Sequence, residues 1–314
     1  MKRIILISLI LVAIQLKEIQ AQQDAFYSHY IFNELVSNPA YAGSKEMLSV
    51  GMLYRAQWVD FEGSPKTFTV GVHSPLKNKN MALGGSIIQD KITVFSNTTL
   101  SFMYAYHIPF NKKIKLSVGL QGSLLFERVN LNELDAFNSN NPDQAFLDIN
   151  KKSFHPNVGT GAYLYGKNFS FGVGIPHLIM GKWINSNERN INQVNHYFVT
   201  GSYTADINHI FKLMPTVAMR FTENAPIQFE GNLNAILYDR LMLGAGFRSD
   251  KSAIFMVNYF HLFNNGVRTN EFRFGYAYDL AWQPLRSNSM GSHELILTFG
   301  LSRKNERHIS PRFF

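Results

Sequence analysis

His73-Ser74 and the run Gly291-Ser292-His293-Glu294 are the places where a nucleophile, a base and a carboxylate come close in sequence. A hydrolytic site needs such groups to converge on one point. Neighbouring residues of a strand point to opposite faces, so a strand would separate His73 from Ser74 and His293 from Glu294. Ser74, just before Pro75, fits the start of a turn. The ten histidines raise the question of a metal, but no pair shows helical or strand ligand spacing with a carboxylate nearby. There is no GxSxG elbow, zinc-binding HExxH helix, P-loop, or GxGxxG leading into a helix. Gly84-Gly85-Ser86 lies inside an alternating segment, where glycine serves curvature or close packing. The chain contains no cysteine, which excludes disulfides, thiolate metal ligands and a thiol nucleophile. We therefore expect no enzyme, no cofactor and no bound metal.

The elements that would position these residues have a period of two. In KIKLSVGLQGSLLF, Ile114, Leu116, Val118, Leu120, Leu124 and Phe126 fall on one face. Lys113, Lys115, Ser117, Gln121 and Ser123 fall on the other. APIQFEGNLNAILY and EFRFGYAYDL alternate in the same way. Such alternation predicts strands with one apolar and one polar face. Segments of this kind recur near 47–58, 66–74, 80–90, 94–108, 113–129, 155–166, 168–176, 195–206, 212–222, 226–238, 240–249, 252–261, 269–279 and 291–303.

Several of these segments reach the length that a tilted strand needs to cross a bilayer, about 9–11 residues. Aromatic residues cluster at strand ends (Tyr54 and Trp58, Tyr104 and Tyr106, Tyr163 and Tyr165, Tyr276 and Tyr278), as an interfacial girdle requires. Tight connections alternate with long ones near 130–154, 177–194 and 280–290. The fold class expected is all-β: a transmembrane antiparallel barrel of about fourteen strands, carrying a short N-terminal plug. By alternation Arg55, Gln57, Lys113, Lys115, Gln121, Arg220, Glu230, Arg248, Glu271, Arg273 and Glu294 face the lumen. Their mixed signs favour a paired, filled lumen over an open pore.

The remaining segments complete the organisation. Residues 1–21 read as a secretory signal: Lys2 and Arg3 precede an apolar run, Ile4 to Ile14, that is too short to span a bilayer. Residues 22–46 do not alternate; Asp24 is a candidate N-cap for a short aromatic helix ended by Asn38-Pro39. This segment plugs the barrel or packs beneath it. The barrel takes residues 47–303, and a charged tail takes 304–314, read as disordered or as a periplasmic docking peptide. The formal charge of +8 is scattered along the chain, which argues against nucleic acid.

Both ends of the mature chain match one family. FYSHYIFNELVSNPAYAGS, LYRAQWVDFEGSPKTFTVGVHSPL, YAYHIPFNKKIKLSVGLQGSL and RFGYAYDLAWQPLRSNSMGSHELIL together resemble the PorP/SprF outer-membrane proteins of the type IX secretion system. Ser64 departs from the small residue, such as Ala, expected before Pro65. The resemblance carries over to Asn38, Pro39, Ala40, Tyr41, Gly43, Tyr54, Arg55, Gln57, Trp58, Gly63, Pro65, Tyr276, Tyr278, Asp279, Gly291, Ser292, His293 and Glu294, in structural or docking roles. It implies an outer-membrane accessory that assists secretion or surface attachment of a large adhesin-like client. It also implies partnership with type IX components and a periplasmic peptidoglycan-binding protein. The matching ends are expected at the periplasmic mouth, with the client chosen by the outer loops. The competing reading from the barrel alone is a passive channel or hydrophobic-solute transporter.

Overall fold

Alternating strands with apolar outer positions must either bury their edges or close on themselves, because an unpaired edge in lipid leaves backbone groups unsatisfied. A computed structural model shows closure. It describes residues 26–111, 113–130, 150–179, 195–222, 225–264, 269–282 and 289–302. The signal segment, Asp24, most of the long loops near 130–154, 177–194 and 280–290, and the tail 304–314 lie outside the described residues.

The strands are β1 (Leu48–Ala56), β2 (Lys66–Pro75), β3 (Met81–Ile92), β4 (Phe95–Pro109), β5 (Lys115–Asn130), β6 (Asn150–Tyr165), β7 (Phe169–Ile175) and β8 (His196–Tyr203). They continue with β9 (Ala205–Asp206), β10 (Phe211–Thr222), β11 (Gln228–Leu237), β12 (Leu241–Arg248), β13 (Ser252–Asn264), β14 (Thr269–Ala281) and β15 (Ser292–Leu301). β9 continues β8 past Thr204, and both pair with β10. The two therefore fill one wall position, and fourteen antiparallel strands form the barrel. β1 pairs with β15 from Leu48↔Leu301 to Ala56↔His293 and closes it.

Facing follows chemistry along each strand. On β5, Ser117, Gln121 and Ser123 are buried inside, while Val118, Leu120 and Phe126 are exposed outside. Phe102 and Leu120 are 63% and 64% exposed, values a water-soluble wall would rarely carry at mid-strand. Here they form the lipid-facing band of an outer-membrane barrel. Among the described residues no helix is long and apolar enough to cross a membrane. The strand starts at β1 and the tight turns at 76–80, 166–168 and 238–240 lie at one end. The long connections lie at the other, which by barrel convention faces outward.

Residues 26–46 enter the lumen as a plug. They form three successive 3₁₀ turns, Tyr30–Phe32, Glu34–Val36 and Pro39–Tyr41, rather than the short helix the sequence suggested. Asn38 breaks the path by taking an extended backbone before Pro39, and its side chain accepts from the Ala40 amide. The plug rests on two apolar pads. Phe26, Tyr30, Ile31 and Phe32 pack on Leu53, Met214, Ile236, Met242, Phe260 and Ile296. Leu35, Ala40, Tyr41 and Ala42 pack on Ala82, Met103, Ala105, Tyr163 and Tyr165.

Several expectations are corrected. Tyr163 and Tyr165 are fully buried under the plug, so they are not girdle residues; alternation fixes which residues share a face, not which face meets lipid. Lys113 is exposed in the turn between β4 and β5 instead of lining the lumen. Gln57 lies just past the end of β1 and its amide donates to the Pro65 carbonyl, so strand alternation no longer sets its direction. β6 begins at Asn150, further upstream than the alternating pattern indicated.

Candidate functional site

The plug is held at its N-terminal end by a buried ionic cluster drawn from five strands. β1 supplies Arg55, β12 supplies Arg248, β14 supplies Asp279 and β15 supplies Glu294, with Glu230 from β11 beside them. Arg55 donates to Glu294 Oε2 at 3.0 Å and to Asp279 Oδ2 at 2.6 Å. Arg248 donates to Asp279 Oδ2 at 3.0 Å and through Nε to Glu230 Oε2 at 2.7 Å. Asn232 donates to the other Glu230 oxygen at 2.8 Å.

This wall holds three carboxylates against two guanidiniums, so it is short of donors. The plug provides them. The Ser28 and His29 amides donate to the two oxygens of Glu294 at 3.0 and 2.7 Å. His29 Nδ1 donates to Glu294 Oε1 at 2.7 Å. Ser28 Oγ donates to Asp279 at 2.6 Å and accepts from Arg248 at 2.8 Å and Arg55 at 3.2 Å. Buried charges persist only when paired and hydrogen-bonded, and without the plug this set is incomplete.

A second anchor holds the middle of the segment. Asn38 donates to the Ala162 carbonyl at 3.0 Å. A Cβ on Gly119 would lie 2.3 Å from the Ala40 nitrogen, so the wall is glycine where the plug backbone presses against it. The Gly43 amide donates to His73 Nδ1 at 3.0 Å. His107 Nε2 donates to the Ala42 carbonyl at 3.0 Å, which leaves Nδ1 to accept from the Tyr165 hydroxyl at 3.0 Å. Gly43 has φ +78°, a left-handed turn that suits glycine and carries the chain out of the seat.

A third set of contacts involves β14, β5 and β10. Arg273 lies over the Phe32 ring at 3.8 Å and the Phe260 ring at 4.6 Å, and pairs with Glu271 at 3.1 Å. Lys45 reaches Glu271 at 3.7 Å. Lys115 pairs with Glu46 at 2.7 Å at the rim, and Gln121 donates to the Pro176 carbonyl at 3.3 Å. Arg220 donates to Gln228 and lies over the Phe26 ring at 5.4 Å.

Burial acts on Glu34 and Lys45 of the plug. It pushes the Glu34 carboxyl up to about 7, with the Thr200 and Tyr163 hydroxyls beside it offsetting part of the effect. It lowers the Lys45 ammonium to about 8, against the pull of Glu271.

The other marked residues organise the long-loop end. Trp58 donates its amide to Ser292 Oγ at 3.2 Å, and Val59 donates to the Gly291 carbonyl at 2.9 Å. The Gly63 carbonyl accepts from the Thr93 amide at 3.0 Å. Tyr54 is on the outer wall face, and Tyr276 and Tyr278 flank His293 there, with Tyr276 Oη 2.7 Å from His293 Nδ1. His293 thus points away from Glu294. Arg55, Asp279 and Glu294 all lie near the long-loop ends of their strands, so the two matching ends of the chain meet inside the lumen. Arg55, Asp279 and Glu294 do not lie at the periplasmic mouth, as the sequence had suggested, whereas Gly43, beside Pro75, Ala82 and His107, does lie at the short-turn end.

Ser28, His29 and the glycine wall were not singled out in sequence. Their signal was present in SHY and in the glycines of β5, but only a seated plug gives it meaning. Among the described residues no group of histidines and carboxylates could hold a metal.

Comparison with solved structures finds chains of low sequence identity. The CymD monoaromatic hydrocarbon channel matches at 9% identity and TM-score 0.51, over 86% of this chain and 92% of that one. The Ralstonia pickettii toluene transporter TbuX matches at 9% identity and TM-score 0.49, over 84% and 92%. The Acinetobacter baumannii protein Omp33 matches at 10% identity and TM-score 0.43, over 82% and 100%. At such identities the CymD likeness supports the barrel fold alone. No curated protein matches in sequence. The family model described as type IX secretion system membrane protein PorP/SprF matches residues 19–299, and the chain belongs to that family.

Proposed function

We propose that this barrel is a plugged, non-enzymatic accessory of the type IX secretion system that assists delivery or surface attachment of a large client protein. Its family places it in the type IX outer-membrane apparatus. The observation that carries the finer reading is the plug seat: family-motif residues Arg55, Asp279 and Glu294 are spent on holding Ser28 and His29, not on lining a path for solute. A barrel that invests its inward charges in a seal serves as a platform. In this reading the short-turn end meets a periplasmic peptidoglycan-binding component, and the long loops select the client.

The test is the surface and secreted proteome of a strain lacking this chain. Loss of one large surface protein, restored by the full chain, is the expected result. An unchanged proteome would remove the secretion reading. The second reading, a hydrophobic-solute channel, is favoured by a lumenal cavity of about 400 Å³. It requires solute flux through the intact protein.

A further inference from the structure

Inward apolar residues of the wall mostly lie beneath the plug, as Leu53, Met214, Ile236 and Ile296 do. Ile88 on β3, Leu125 on β5 and Phe198 on β8 line a cavity instead. The cavity is about 400 Å³, in the range of small-molecule sites. Its plug side presents Phe26, Tyr27 and Tyr30, with Asn33, Val36 and Ser37 beside them.

Above the apolar belt runs one polar row. Thr67 pairs with Asp90, Asp90 with Asn97, and Asn97 with Glu127, across β2 to β5. Thr67 donates to Asp90 at 2.5 Å, while Ser153 Oγ and His155 Nε2 approach Glu127 Oε2 at 3.1 and 3.2 Å. The described lining thus includes two carboxylates and two imidazoles (His177 and His196), but no lysine or arginine. In a chain of formal charge +8, the described lining joins an apolar belt to two carboxylates without a lysine or arginine among them.

We propose that this cavity binds an apolar cation: an ammonium or guanidinium on an aromatic or aliphatic body. The body fills the Ile88–Leu125–Phe198 belt against the plug aromatics, and the charge meets the Asp90–Glu127 row. The same chemistry arises in a free amphiphilic amine and in a tryptophan–arginine pair of a polypeptide. The inference stands on the cavity and is independent of the secretion reading.

The test is calorimetric titration of the full chain in neutral detergent with phenylbutylamine, with phenylbutanol, and with a capped Trp-Arg-Gly peptide. At least one cation is expected to bind about tenfold tighter than the alcohol, the scale of one charge-assisted contact. Asp90→Asn with Glu127→Gln should remove that advantage, and Leu125→Trp, which fills the belt, should abolish binding. Tighter binding of the amine assigns a free ligand, and tighter binding of the peptide assigns a polypeptide. Failure of both cations to bind, equal binding of the alcohol, or an advantage that survives the acid-to-amide pair would overturn the proposal. If Leu125→Trp does not fold, as judged by heat-modified gel migration, the acid-to-amide pair alone decides.

Discussion

Ser28 and Glu294 are 266 positions apart, yet the Ser28 amide donates to Glu294 Oε2 at 3.0 Å in the interior of the barrel. That contact joins the start of the plug to the closing strand, and Arg55 on β1 bonds both residues. The plug is therefore fastened at the seam where β1 meets β15.

Arg55→Ala should be among the most damaging single changes. It leaves Glu294 and Asp279, both buried, without one guanidinium. Breaking a buried pair from one side typically costs about 3–5 kcal/mol. We expect a lower unfolding temperature by heat-modified gel migration, together with faster proteolysis within residues 26–46. Arg55→Lys should rescue little, since one ammonium cannot serve two carboxylates and the plug in the same fork geometry.

Gly119→Ala separates seal from wall. The added methyl collides with the plug backbone at Ala40, while the strand ladder tolerates alanine. Overpacking of this kind costs about 1–3 kcal/mol, borne here by the plug rather than the barrel. The folded barrel should remain, with residues 36–45 more open to protease. Protease sensitivity equal to that of the wild type would contradict the close approach.

The contribution of Glu34 to plug seating should fall from mildly acid to neutral pH. The Glu34 carboxyl is raised from 4.5 to about 7 on burial, so its contribution is full below about 4.5 and is lost as pH rises through about 7. Lys45 is shifted the other way, from 10.5 to about 8; its contribution is present above 10.5 and lost as pH falls through about 8. The window between about 4.5 and 7 therefore belongs to Glu34 among these two groups. With an acid-tolerant protease, plug proteolysis of Glu34→Gln relative to wild type should fall progressively as pH rises across it, and a pH-independent ratio would contradict the buried carboxyl.

Exchange of the long loops near 130–154 and 177–194 between two members of the family should exchange the surface protein that each supports. Unchanged preference in the surface proteome would remove the loops from client choice. Removal of residues 304–314 should leave barrel insertion intact, and loss of secretion on that background would assign docking to the tail.

Much of the wall was legible in sequence because period two is a local property. The faces of β5 and β15 follow directly from Leu116–Phe126 and Leu295–Leu301. Arg55, Glu230, Arg273 and Glu294 could be placed inside because a charge facing lipid is costly. Less visible was anything set by contact across the lumen. Tyr163 and Tyr165 look like girdle residues until Tyr41 and Ala42 are seated against them. Lys113 shows how a strand end misplaced by a residue or two moves a side chain from wall to turn. The aromatic spacing of FYSHYIF suits a helix, but the pads beneath Tyr30 and Phe32 and the bonds to Glu294 select tighter 3₁₀ turns.

The most direct test of the seal is planar-bilayer conductance of the intact chain beside a variant lacking residues 26–45. The account predicts no sustained conductance from the intact protein and stable open channels from the variant. Sustained conductance through the intact barrel would contradict a lumen closed by the Ser28–Glu294 seat.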